Sequence, residues 1–241
     1  MSRPPFHIKA RKEDIAENII VVGDPGRATL LSELLEKPRL VNDNRGLLTY
    51  TGEYKGVPVT IATHGMGCPS AMIVFEELGM LGAKRIVRIG TAGGLVKELK
   101  MGDVVIASSA LYTSGGCGLQ QYLPGVCAPT APHPILTTRI MEELEKHGIK
   151  YWLGPVYSSD AFYAEDPEFA RKWGERGVLA VEMEAAGLFA LGWMRGWETA
   201  AVLVISDNLV SEEKYMASLE ELRNRFIEVA KTVLEVFARY H

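Results

Sequence analysis

Along the 241 residues, short apolar runs alternate with segments whose apolar positions recur every three or four residues. The runs "IIVV" (19–22), "LLTYTGEY" (47–54), "VPVTIATH" (57–64), "RIVRIG" (85–90), "DVVIASSA" (103–110), "VYSSD" (156–160), "VLAVEM" (178–183) and "AAVLVIS" (200–206) read as strands. Helical spacing covers 28–36, 70–81, 137–147, 167–175, 184–195 and 218–240. Alternation of this kind predicts an α/β fold with helices layered on a sheet. "EYKGVP" reads as a hairpin turn, so the sheet is expected to be mixed rather than wholly parallel. The last helix opens with "SLEE", where Ser218 is placed to cap and Glu221 to return the bond. Its Leu219, Leu222, Phe226, Val229, Val233 and Phe237 share one face, which reads as core.

One segment breaks the rhythm. Glycine and proline punctuate "TSGGCGLQQYLPGVCAPTAPHP" (113–134) so often that no regular element is expected there. A loop of this length inside a compact domain is usually functional or mobile. No linker and no repeat divides the chain, so residues 1–241 are expected to form a single domain.

Composition adds exclusions rather than assignments. The hydrophobic fraction is 47%, the charged fraction 23% and the formal net charge -4, which suits an ordinary globule and gives no support for a nucleic-acid or membrane partner. "MSRPPFHIKARKED" turns polar at once, and no run approaches the ~18 apolar residues of a membrane span. A cytoplasmic protein is the expectation. Cys68, Cys117 and Cys127 have neither zinc spacing nor a C-x-x-C pair, so no metal is expected. Cys117 and Cys127 flank one loop and could meet, though free thiols are the expected state in a reducing compartment.

Four stretches could carry chemistry. In "GDPGR", Gly23 and Gly26 let backbone N–H groups approach a ligand, the next helix starts with partial positive charge, and Arg27 adds a forked cation. A plain Asp-Pro-Gly turn with a solvent-facing arginine is the alternative. In "RIVRIGTAGGL", Arg88 sits within an apolar strand and Thr91 follows near its carboxyl end, where the chain is expected to turn through Gly93 and Gly94. Arg88 either helps to hold an anion there or forms a structural salt bridge.

In "AVEMEAAGLFAL", the dipole of the following helix accounts for Glu184 but not for Glu182, which lies mid-strand and needs a partner. A ribose diol is one such partner. "AAVLVISDNLV" ends a wholly apolar strand in Ser206 and Asp207. Asp207 either begins a turn or, shielded from water, has a raised pKa and acts as a proton donor.

In order and spacing, "HIKA", "GDPGR", "NRGLLTYTGEYKG", "ATHGMGCPSA", "RIGTAGGL", "SSDAFYAED", "VEMEAAGLFAL" and "VISDN" resemble the nucleoside phosphorylases of the small-subunit, hexamer-forming type, across nearly the whole chain. The purine nucleoside phosphorylases and archaeal methylthioadenosine phosphorylases are the nearest kinds. The resemblance implies a three-layer αβα fold of the phosphorylase/hydrolase-like kind, with a mixed and partly barrel-like central sheet. It implies phosphate held by Gly23, Arg27, Arg88 and Thr91, joined by Arg45 of "NRG" from a neighbouring subunit, with His7, also from the neighbour, reaching the substrate's 5′ position. Met183 and Glu184 would grip the ribose, with Glu182 a lesser contact. Met66 and Ser206 would line the nucleoside site, Phe162 would stack on the base, and Asp207 would protonate the purine at N7.

The implied reaction is phosphorolysis of inosine, guanosine, adenosine or 5′-methylthioadenosine to the free purine and a ribose 1-phosphate. Phosphate is a co-substrate, no cofactor is needed, and the assembly is a homohexamer, a trimer of dimers. Two departures qualify the match. Where uridine phosphorylases carry Gln and Arg after the "FY" pair, this chain has Asp166 and Glu168, against a pyrimidine. Where bacterial purine enzymes place an arginine that assists the acid, this chain has Glu220, with Lys214 or Arg223 as substitutes and 209–217 as a lid. A methylthioadenosine-preferring phosphorylase, a water-using nucleosidase and a non-catalytic nucleoside sensor are the rival readings; Arg27 and Arg88 speak against the nucleosidase, and a sensor would not need Asp207.

Overall fold

The apolar runs become strands of a nine-stranded mixed sheet in the computed structural model, which describes residues 4–163, 166, 168–211 and 219–239. In chain order the main elements are β1 (Asn18–Val22), α1 (Pro25–Ser32), β2 (Glu36–Asn42), β3 (Thr49–Tyr54), β4 (Val57–Thr63), α2 (Cys68–Met80), β5 (Arg85–Gly94) and β6 (Val104–Tyr112). Then follow α3 (Leu119–Tyr122), α4 (Pro134–Lys146), β7 (Tyr151–Ser158), α5 (Phe169–Gly174), β8 (Ala180–Glu182), α6 (Ala185–Arg195), β9 (Glu198–Asn208) and α7 (Leu219–Arg239).

The strands run in the order β2-β3-β4-β1-β5-β8-β7-β6-β9, and β9 also pairs with β5. That extra pairing closes β5, β8, β7, β6 and β9 into a five-stranded barrel, while β2, β3, β4 and β1 form an open flange. β5 belongs to both. Parallel β9 follows it from Arg85 to Gly94. On the other side β1 accompanies it only as far as Arg88, and antiparallel β8 joins at Gly93. The gap between the two partners is a strand switch point, the place where α/β sheets open a crevice.

Continuous apolar strands are explained by burial on both faces. In β1, Ile19 and Val21 face the core under α2 and α6, while Ile20 and Val22 face the core under α1, α4 and α7. β9 alternates likewise, with Ala201, Leu203 and Ile205 on the first side and Ala200, Val202 and Val204 on the second. On α7, Phe226, Val229, Val233 and Phe237 are buried, as their spacing predicts.

Several boundaries differ from expectation. β2 is not predicted because "EKPRLVN" is polar and largely exposed; it is an edge strand paired, among the described residues, only with β3, where lysine and proline discourage further pairing. α1 consequently ends at Ser32 rather than at 36. β5 does not turn at Gly93 and Gly94, because β8 and β9 hold both glycines in the ladder. The loop after β6 contains a 3₁₀ turn at Gly116–Gly118 and the short α3. Cys117 and Cys127 do not meet: Cys117 is buried, Cys127 is exposed, and the three cysteines are free. No helix among the described residues is long and apolar enough to cross a membrane. Ser218 and Lys214 lie outside the described residues, as does most of the expected lid.

Candidate active site

The β1–α1 turn brings the first cation into place. Pro25 occupies the first turn of α1 and Asp24 caps it, its Oδ1 accepting from the Gly26 amide at 2.8 Å. Gly23 lies against the β4–α2 turn, where a Cβ would stand 3.2 Å from the Gly65 carbonyl. Arg27 reaches back across the turn, and its Nη1 donates to Thr91 Oγ1 at 3.2 Å. Its guanidinium carbon sits 4.9 Å from the centre of the Phe226 ring. Burial holds the Arg27 pKa below its usual value against the pull of Asp24, and Arg88 pushes in the same direction as burial. Two cations repelling each other at a strand switch point make a place for an anion.

Arg88 is buried on the α2/α6 side of β5. Gly90 makes room for it: a Cβ there would lie 2.8 Å from the guanidinium carbon. Its Nε donates to Glu182 Oε2 at 3.1 Å, Nη2 pairs with Glu184 Oε2 at 2.5 Å, and Nη1 donates to His64 Nε2 at 2.9 Å. Arg88 therefore forms the structural ion pair that the sequence left open, with part of its donor fork still uncommitted. Burial lowers its pKa, but Glu184 and Glu182 outweigh this and raise it.

Glu182 finds all its partners within the chain. Besides Arg88 it accepts from Ser158 Oγ, from the Glu184 amide at 2.8 Å and from the Ala185 amide at 3.0 Å. The diol invoked for it from sequence is not needed; the carboxylate serves the exposed amides at the start of α6. Glu184 is the cap residue of α6. Its Oε1 accepts from the Gly67 amide at 2.6 Å. Burial raises the Glu184 pKa, with Arg88 opposing and Glu182 assisting the rise.

The rim of the crevice is open. Met66 is 84% and Phe162 68% exposed, and Met183 is half-buried. Asp207 departs from expectation: it is exposed, because β9 has by then run past its antiparallel partner β6, which pairs only with Val202–Val204. The shielding expected of it is absent in this chain. Its Oδ1 lies 2.7 Å from Ser206 Oγ, which also reaches the Ala92 carbonyl at 3.3 Å.

His7 and Arg45 sit together on another surface. Glu77 clamps the N-terminal segment, accepting from the Phe6, His7 and Ile8 amides at 3.0, 2.8 and 2.6 Å, and contacting His7 Nδ1 at 2.7 Å. Asn44 Nδ2 donates to the His7 carbonyl at 2.8 Å, which ties the segment to the turn carrying exposed Arg45. Asp166 accepts from the Glu168 amide at 2.8 Å and Glu168 pairs with Arg171, so both serve the start of α5.

Sequence reasoning passed over His64 and Ser158. His64 accepts from Arg88 through Nε2, so its hydrogen is on Nδ1, a buried atom with no hydrogen-bond partner among the described residues. Burial, aided by Arg88, pushes its pKa well down and keeps the ring neutral. Both residues stand at the carboxyl end of a parallel strand, the one signal that could have marked them.

The model of the phosphorylase superfamily matches residues 17–240. A DeoD-type purine nucleoside phosphorylase of Caldanaerobacter subterraneus is 40% identical over 233 residues, covering 96% of this chain and 99% of the relative. A second, from an Exiguobacterium species, is 38% identical over 95% of this chain and 96% of its own length. Uridine phosphorylase from Vibrio fischeri superposes with a TM-score of 0.90 at 30% identity, covering 98% of both chains. Purine nucleoside phosphorylase from Toxoplasma gondii, in complex with immucillin-H, gives a TM-score of 0.87 at 27% identity, over 100% of this chain and 99% of that one.

Proposed function

This chain belongs to the phosphorylase superfamily and is a purine nucleoside phosphorylase, a pentosyltransferase, and from that premise we propose that it accepts inosine, guanosine, adenosine and 5′-methylthioadenosine. Inorganic phosphate is the co-substrate; the products are the free purine and ribose 1-phosphate, or 5-methylthioribose 1-phosphate. The carrying observation is the linked pair of cations: Arg27 contacts Thr91, Arg88 contacts Glu184, and each guanidinium lies within electrostatic reach of the other.

Phosphate sits between Gly23, Arg27, Thr91 and the uncommitted part of the Arg88 fork. Glu184 accepts from the ribose 2′ and 3′ hydroxyls, so Arg88 joins the sugar end of the site to its phosphate end. Met66, Met183 and Ser206 complete the nucleoside wall, with Glu182 behind them holding Arg88, and Phe162 covers the base. As the C1′–N9 bond stretches, positive charge grows on the sugar and the phosphate dianion beneath stabilises it; fixed partners do this without reorganisation. A phosphate oxygen bonds to C1′, the bonding pair leaves with the purine, and Asp207 delivers a proton to N7. General acid help of this kind is worth ~10²–10⁴ in rate. With Asp207 exposed in the single chain, bound nucleoside supplies the shielding its role needs.

His7 and Arg45, tied to each other through Asn44, are donated together to a neighbouring subunit's site in a homohexamer in the cytoplasm. Following inosine with and without phosphate tests the reading: ribose 1-phosphate is expected, and only with phosphate. Equally fast base release in phosphate-free buffer means a nucleosidase instead, and binding without turnover means a sensor. Parallel kinetics on inosine and methylthioadenosine rank the two substrates, and light scattering showing an active monomer removes the shared-site roles.

A further inference from the structure

Beside the floor of the crevice, the fold brings together three metal-ligating side chains that are far apart in sequence. Cys68 opens α2, Cys117 lies in the glycine-rich turn after β6, and Asp160 follows β7. Their Sγ and carboxylate oxygen atoms all lie within 4.8 Å of one another. The two thiols are 0% and 1% exposed, whereas Asp160 faces solvent. The surrounding backbone shapes itself to this meeting. Cys117 takes a left-handed φ of 54°, which turns "GGCG" inward, and its amide donates to Asp160 Oδ2 at 2.8 Å. Gly116 permits the carboxylate's approach, since a Cβ there would stand 2.7 Å from the same oxygen. Gly187 of α6 does the same for Cys68, whose Sγ would be 2.9 Å from a Cβ.

Packing alone does not account for the set. Two buried thiols need only apolar neighbours, and holding the Cys117 amide occupies only one carboxylate oxygen. We propose that Cys68, Cys117 and Asp160 form a binding site for a thiophilic d¹⁰ divalent cation, zinc or cadmium, with solvent as the fourth ligand. Tetrahedral coordination with zinc–sulfur bonds of ~2.3 Å sets donors about 3.7 Å apart, so the cluster closes onto the ion by no more than roughly 1 Å. The exposed carboxylate is the entry path. Each thiol gives its proton to the buffer as its sulfur bonds to the metal, and no redox change is involved. The occupied site would tie the first turn of α2, whose preceding Gly67 amide holds Glu184, to the segment leading to Phe162.

The test uses the full-length chain, reduced with a phosphine and stripped by a chelator, then titrated with cadmium while the ultraviolet thiolate-to-metal band and proton release are recorded. Saturation at one equivalent per chain with two protons released is expected. Cys127→Ser should behave as the parent, while Cys117→Ser and Asp160→Asn should bind at least tenfold more weakly. Absorption-edge spectroscopy on the unmutated protein keeps the test independent of how the variants fold: two sulfur neighbours and an oxygen are expected around cadmium. A coordination shell of oxygen and nitrogen only overturns the proposal. So does an unchanged band in Cys117→Ser, or a reduced protein that binds no cadmium but forms a Cys68–Cys117 disulfide on oxidation.

Discussion

The floor and the rim of the crevice are built on opposite terms. In the floor, Arg88, Glu182, Glu184 and His64 are buried and meet one another within hydrogen-bond distance. At the rim, Met66, Phe162 and Asp207 are exposed; on the other surface Arg45 is exposed and His7 is held by Glu77. Buried charge must be satisfied by the chain itself, so the floor is settled before any ligand arrives. Exposed aromatic and acidic groups acquire surroundings only when a substrate or another subunit covers them. Mutations should therefore separate cleanly: floor changes disturb stability and turnover together, and rim changes disturb turnover alone.

The largest effect is expected at the floor. Arg88→Met leaves Glu182 and Glu184 buried beside each other without their cation, a loss of ~3–5 kcal/mol in urea unfolding, with turnover abolished. Adding Glu184→Gln should restore part of the stability and none of the activity. Equal stability of Arg88→Met and the parent would erase the contrast. At the rim, Asp207→Asn should lower kcat by ~10²–10⁴ while the unfolding midpoint moves by less than ~0.5 kcal/mol equivalent. An unchanged kcat removes the acid role.

Glu77→Gln probes the clamp on His7. A carboxylate accepting from three amides contributes charge-assisted bonds of ~1.5–3 kcal/mol in all, which calorimetry should register as lost. Burial pushes the Glu77 pKa up, but the bonds from Ile8, His7 and Phe6 prevail and lower it. Its stabilisation is thus fully present above the ordinary carboxylate pKa and disappears as pH falls through the depressed folded value. A smaller effect is expected of Arg45→Ala: the phosphate KM should rise about tenfold, the equivalent of one charge-assisted bond, with stability unchanged. Finally, burial raises the Glu184 pKa, and in the proposed site only its ionised form would accept from both ribose hydroxyls. The nucleoside KM at saturating phosphate should climb as pH falls through a value above the usual carboxylate range. In Glu184→Gln this acid limb should vanish.

The same contrast explains what could be read from sequence. Strand positions announced themselves because burial on both faces demands unbroken apolar runs, and an arginine or glutamate inside such a run needs a reason. Arg88 and Glu182 were visible for that cause, although their partner turned out to be each other. β2 was invisible because an edge strand obeys the ladder without needing apolar residues. Gly93 and Gly94 read as a turn, since nothing local reveals that two further strands will hold them. Asp207 looked shielded only because its preceding strand is. His7 and Arg45 carry no local signal at all: the place proposed for them in a site would require a second chain, and resemblance alone points to them.

The shared strand β5 also limits how the molecule can change. Because neighbouring residues on a strand point to opposite sides, deleting one residue upstream of position 88 would swing the guanidinium into the layer under α1 and α7, away from both glutamates. The same deletion would unseat Ile86 and Val87 from their separate cores. Flange and barrel can drift in sequence, but the thread that joins them has a fixed length.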